Sequence, residues 1–299
     1  MISGFKARAA ARGAYAIASV LAVLLSGITG ISAAAIGLAL ERSAISEKTA
    51  EVVSGGVNSE DHGPRAPGLA IVIDDCGADM RLARRIVSLD IPVTCAIIPN
   101  LKYAEDTAEL FEENGIPYLV HVPMQALSDP DGKSGDRRYY YIGSGMSERE
   151  VKDALEPLLD SLKGAFGVNN HRGSKATSDP ELMGYVMDVL AERDMFFLDS
   201  RTSPRSVAYD AAAKRGLASA ENSFFLDNES DREKISSAAA GAIRTVQKKG
   251  SAVAICHLRP ETVFFLEDFS REVSQGRHES GVDLITLTRW AEYAKGETR

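Results

Sequence analysis

Leu69-Ala-Ile-Val-Ile-Asp-Asp-Cys-Gly77 runs five apolar residues, rich in β-branched types, straight into two adjacent carboxylates and a glycine. An unbroken apolar run of this length reads as a strand buried on both faces, the kind found in parallel sheets. Asp74 and Asp75 stand where that strand ends, and α/β folds place their chemistry at the carboxyl ends of parallel strands. The plainer reading has one Asp capping the next helix and the other solvated. The two readings part on whether other strands end the same way.

Working outward, candidate strands recur at 93–98, 118–122, 167–171, 195–198, 223–226, 251–256 and 282–285. Between them lie segments of helical periodicity: 79–88, 103–114, 147–162, 179–193, 206–215, 231–248, 260–273 and 287–294. Ser147 and Glu150 form a capping-box pattern, and Gly115 suits a helix C-terminus. Alternation of this kind over residues 68–299 implies a parallel sheet, and the repeat number favours a distorted (β/α) barrel of seven to eight strands. An open doubly wound sheet is the alternative. No GxGxxG or GxxxxGK[ST] follows any strand, which speaks against a nucleotide cofactor. The polar loop 128–145 is too long for a simple connector. Its Tyr139-Tyr140-Tyr141 reads either as a stacking surface for a sugar or as packed surface loop.

The N-terminal end differs. Residues 1–13 carry Lys6, Arg8 and Arg12 and no acid, and residues 14–40 carry no charge at all. About 20 apolar residues cross a bilayer, and a basic flank stays cytoplasmic. The expectation is a signal anchor in the inner membrane, with the remainder in the periplasm or otherwise outside the cytoplasm. A signal peptide cleaved near Ser32–Ala35, giving a secreted protein, is the alternative. Residues 41–67 are polar, with scattered Gly, Ser and Pro, and read as a linker. The net charge of −8 argues against a nucleic-acid partner held through its phosphates. Cys76, Cys95 and Cys256 show no CxxC pairing and lie in or beside apolar runs, so they read as small core residues.

Of five histidines, His62 falls in the linker and His278 in a charged loop, but His121, His171 and His257 all fall at strand exits. So do Asp74, Asp75, Asp199 and Asp227. In a barrel such positions converge on one mouth. Imidazoles with carboxylates suit Zn²⁺ or a similar divalent ion, which takes three protein ligands at a catalytic site and lowers the pKa of water to about 7. A second carboxylate can take the water's proton, and a histidine opposite can protonate a leaving group.

The pieces IVIDDCG (71–77), VTCAIIP (93–99), LVHVPM (119–124), GVNNHRGSKAT (167–177), FFLDSRT (196–202), FFLD (224–227) and AICHLRPET (254–262) occur in an order that resembles the divergent polysaccharide deacetylases, a branch of the wider polysaccharide deacetylase group. The resemblance spans essentially all of residues 69–290. It implies a distorted barrel, usually seven-stranded, and a metal-dependent hydrolase that removes N- or O-acetyl groups from an envelope glycan. By that resemblance Asp74 is the base, Asp75 a metal ligand and His257 the general acid. The group's His-x-x-x-His motif is absent. His121 stands where its first histidine would be, and His171 is the expected replacement for the second. Asn169 and Asn170 are expected as donors behind the ligands, and Asp199 and Arg201 as groups that orient His257 or bind substrate. Cys76 stands where the branch often has Leu, Gln125 where it often has Glu, and Arg172 where it often has Met. A membrane-tethered glycan-binding scaffold without turnover is the second functional reading. A barrel glycoside hydrolase using Asp75 and Asp199 is a third, and it leaves the histidines unexplained.

Overall fold

The computed structural model describes residues 67–130, 141–276 and 281–296. The uncharged run 14–40, residues 41–66 of the linker (His62 among them), His278, Tyr139 and Tyr140 lie outside the described residues. Among the described residues no helix is long and apolar enough to cross a membrane.

Strands and helices alternate as the apolar runs require. They are β1 (Gly68–Cys76), α1 (Met80–Val87), β2 (Thr94–Ile97), α2 (Ala104–Glu113), β3 (Tyr118–Met124), α3 (Glu148–Ser161), β4 (Gly167–Arg172), α4 (Pro180–Glu192), β5 (Phe196–Asp199), α5 (Ala208–Lys214), β6 (Ser219–Glu221), β7 (Phe224–Phe225), α6 (Arg232–Lys249), β8 (Ser251–His257), α7 (Pro260–Ser274), β9 (Leu284–Ile285) and α8 (Leu287–Ala294). Local chemistry marks the helix starts. Asp79, Asp179 and Asp231 cap α1, α4 and α6, and Ser147 with Glu150 makes the expected capping box on α3.

Every strand pairing is parallel, in the order β6-β5-β4-β3-β2-β1-β8-β7, with β9 added beside the start of β1. The two ends of this order belong to one short run of chain. The amide of Asn222 bonds the carbonyl of Asp199 on β5, and the amide of the next residue, Ser223, bonds that of Val253 on β8. Residues 219–226 therefore pass from one sheet edge to the other and serve as a single divided stave. With β1–β5 and β8 this makes the distorted seven-stave barrel that the sequence implies, curled so that one face lies inside. β6 forms without an apolar run, since residues 217–221 read Leu-Ala-Ser-Ala-Glu.

Side-chain alternation divides the core into two layers. Leu69, Ile71 and Ile73 of β1 face the helices and pack with Ile86, Phe111, Leu155, Val186 and Leu266. Ala70 and Val72 face the enclosed side with Ala96, Leu119, Phe196, Leu198, Val253 and Ile255, and Leu287 and Trp290 of α8 pack in with them. Gly167 is required at its place on β4, because a Cβ there would meet the Phe196 carbonyl oxygen at 2.4 Å.

Candidate metal and acid–base site

The same alternation aims the polar side chains. Continuing the inward phase beyond the apolar residues leads to Asp74 on β1, His121 on β3, Asn169 and His171 on β4, and His257 on β8. Asp75 would face outward if β1 continued regularly. It does not: Ile73 pairs with Cys95 and Cys76 with Ile97, so β1 carries one residue more than β2 across this interval. The bulge, with Asp75 at φ +62°, returns Cys76 to the helix-facing core and leaves both carboxylates for the mouth.

Asp75, His121 and His171 come together, with one donor atom from each within 4.8 Å of the others. His171 Nδ1 is 3.0 Å from Asp75 Oδ1, and His121 Nε2 is 3.5 Å from the same oxygen. The facing imidazole nitrogens are 3.2 Å apart, with the rings edge to face. Asp75 Oδ1 is buried and accepts no well-directed hydrogen bond. Burial opposes ionisation of Asp75, but the two imidazoles facing it hold its carboxyl far below the usual carboxylate range. A buried anionic oxygen without a proper donor, faced by two imidazole nitrogens, fits a divalent cation of the N/O-preferring kind.

Behind these groups Asn169 is completely buried. Its amide nitrogen donates to Asp74 Oδ1 (2.9 Å) and Ser200 Oγ (3.3 Å), and its oxygen lies 2.7 Å from His121 Nδ1. Asp74 is almost fully buried, with its other oxygen 3.5 Å from His121 Nε2. Burial pushes its carboxyl above the ordinary value, against the charges of His121 and His257 and the Asn169 donor. Burial works against a charged His121, yet Asp74, Asp75 and Asn169 raise its pKa on balance.

His257 is paired with Asp74 across the β1–β8 ladder. Its Nδ1 is 2.8 Å from Asp227 Oδ1, and its backbone amide donates to Asp227 Oδ2 at 2.9 Å. The Thr262 hydroxyl, at the start of α7, donates to that same oxygen at 2.7 Å. Burial disfavours a charged His257, but the Asp227 partner outweighs it and the pKa is raised; the same contacts lower that of Asp227. Phe225 lies parallel to the His257 ring at 6.2 Å between centroids.

The sequence model for divergent polysaccharide deacetylases matches residues 71–290, a span that holds all of these groups. The chain belongs to the divergent polysaccharide deacetylase family. An uncharacterized protein of Haemophilus influenzae is 37% identical to it over 199 residues, covering 67% of this chain and 69% of that protein. YibQ, an uncharacterized protein of Escherichia coli, is 31% identical over 199 residues, covering 67% of this chain and 61% of YibQ. Among solved structures, an uncharacterized protein of Agrobacterium tumefaciens superposes with a TM-score of 0.65 at 19% identity, over 75% of this chain and 87% of that one, which shows a shared fold.

Several sequence expectations for this family member need correction. Asp199 does not orient His257. It faces outward from β5 and holds the following loop, accepting from the Arg201 amide (2.8 Å) and the Ser206 hydroxyl (2.7 Å). Arg201 turns to Glu221 (3.4 Å) and the Ser206 carbonyl. The residue that orients His257 is Asp227, helped by Thr262. Asn170 does not back the ligands either: it accepts from the Ser200 amide and donates to the Arg172 carbonyl, tying the β4 and β5 exits together. Tyr141 is half-buried against the core. Gln125 is buried and bonds Ser144 N and the Pro130 carbonyl, and Arg172 pairs with Asp129 at 2.6 Å, so both secure the loop after β3. All three cysteines are buried in the helix-facing core, as expected.

Proposed function

We propose that this divergent polysaccharide deacetylase is a metal-dependent hydrolase that removes acetyl groups from a glycan of the cell envelope. The observation that carries the reading is Asp75 Oδ1, buried, without a well-directed donor, and faced by His171 Nδ1 at 3.0 Å and His121 Nε2 at 3.5 Å. Asp75, His121 and His171 would hold the ion. Activation of water and polarisation of the acetyl carbonyl are what a divalent ion, Zn²⁺ by this donor set, supplies when bound there.

The chain's own residues do the rest. Asp74, one residue from Asp75 and held by Asn169, takes the proton of the attacking water. Asp227 accepts from His257 Nδ1–H, which leaves Nε2 to carry the proton delivered to the departing amine or alcohol as its bond to the acetyl carbon breaks. Pairing with Asp227 favours the protonated form of His257, the form a general acid takes before it acts. The products are acetate and the free sugar amine or hydroxyl. The basic flank and uncharged run 14–40 support export, with the catalytic domain outside the cytoplasm and a membrane tether if the segment is retained.

Metal content of the purified protein, with and without His121→Ala, coupled to acetate release from acetylated chitooligosaccharides and peptidoglycan, tests the proposal. Bound zinc with acetate release supports it. Bound metal without turnover on either glycan would leave a glycan-binding scaffold, and absence of both would remove the metal site itself.

A further inference from the structure

We propose that Asn169 is a positioning residue whose single amide sets two things at once: the nitrogen that His121 presents to the ion, and the aim of Asp74 as base. The inference rests on the hydrolase reading above and assigns the buried group that couples its two halves.

The Asn169 amide nitrogen donates to Asp74 Oδ1 at 2.9 Å. The Asn169 oxygen must then face His121 Nδ1 at 2.7 Å, and that ring nitrogen must be the donor. The lone pair of a neutral His121 therefore sits on Nε2, the atom that faces Asp75 Oδ1 at 3.5 Å and His171 Nδ1 at 3.2 Å. The second amide hydrogen points to Ser200 Oγ at 3.3 Å. Both amide hydrogens and the amide oxygen thus have partners, in a completely buried place. Ligating histidines are commonly fixed through their other nitrogen by a carboxylate or carbonyl. Here that partner also grips the base, so ligand and base cannot be displaced independently.

Two substitutions separate the tasks. Asn169→Asp keeps an acceptor for His121 Nδ1 but removes the donor to Asp74 and sets a second carboxylate beside it. Asn169→Leu removes both. In the full-length protein, zinc affinity is measured by competition with a chromophoric chelator, and kcat and KM by acetate release from acetylated chitooligosaccharide. Asn169→Asp is expected to hold zinc within about threefold of the parent while kcat falls at least tenfold at little-changed KM. Asn169→Leu is expected to lose about 10–100-fold in zinc affinity. A merely structural role would move both readouts together in both variants, and that result overturns the inference, as would Asn169→Asp with full turnover. If the parent binds zinc without turnover, the affinity arm decides: equal zinc affinity in the two variants overturns the inference, and loss confined to Asn169→Leu supports its ligand half. A parent with neither zinc nor acetate release sinks the hydrolase reading, and this inference with it.

Discussion

Asp227→Asn keeps shape and removes charge from a carboxylate that is completely buried and accepts three hydrogen bonds, at 2.8, 2.9 and 2.7 Å. The cost has two parts. An amide has one acceptor oxygen, so if that oxygen serves His257 Nδ1, the NH₂ group faces the His257 backbone amide, a donor against a donor. Leaving such a group unpaired costs about 1–3 kcal/mol at every pH. The second part depends on protonation. A hydrogen bond to a charged group contributes about 1.5–3 kcal/mol, against about 0.5–1.5 for a neutral pair, so losing the charge costs roughly a further 1–2 kcal/mol while His257 is protonated. The sign follows from the direction of the shift. His257 is raised above its ordinary 6.5 by Asp227, so the stabilisation is complete below 6.5 and is lost as pH rises through the folded value. Asp227 is lowered, so its own contribution is present above 3.8 and fades only in more acidic solution. Urea unfolding of zinc-stripped protein should therefore show a destabilisation of about 2–5 kcal/mol at about pH 5.5, narrowing to about 1–3 kcal/mol once His257 is neutral. A difference that is flat with pH, or that widens on the alkaline side, would refute the pairing of these two residues as the source of the shift.

Three further outcomes are expected. His121→Ala and His171→Ala should each lower zinc affinity by at least about 100-fold, measured by chelator competition, because each removes one of three donors; retention of parental affinity in either would exclude that residue as a ligand. Gly167→Ala should destabilise the fold by about 1–3 kcal/mol in urea titrations, since the added methyl meets the Phe196 carbonyl oxygen at 2.4 Å; an unchanged midpoint would contradict the packing of β4 on β5. The thiols of Cys76, Cys95 and Cys256 are buried, and burial pushes those of Cys95 and Cys256 well up, so Ellman's reagent should find almost no reactive thiol in native protein and all three after denaturation.

Much of this architecture was legible because apolar runs and helical periodicities alternate cleanly, and because strand-exit histidines are rare enough to stand out. The error over Asp199 has a specific cause. Phe-Phe-Leu-Asp occurs twice, at 196–199 and 224–227, and the two copies lie in opposite phase. In the first, Phe196 and Leu198 face the enclosed layer, so Asp199 turns outward. In the second, Phe225 faces inward and Leu226 outward, so Asp227 turns in beside β8. A one-residue change of phase exchanges the faces of a strand, and identical tetrapeptides carry no mark of it. The bulge between Ile73 and Cys76 was hidden for a similar reason: an extra residue shows only against the partner strand. Asn170 differs from Asn169 only in phase: alternation sends it away from the ligands that its neighbours serve.

The hand-over at Asn222–Ser223 also bears on solubility. A parallel sheet left unrolled would end in two rows of unsatisfied amides and carbonyls, and such rims template pairing with other molecules. Here one eight-residue strip, 219–226, occupies both rims, giving its first half to β5 and its second to β8. A single proteolytic nick between those halves would free two sticky borders together, so precipitation, rather than quiet loss of activity, is the fate to expect of a chain cut there.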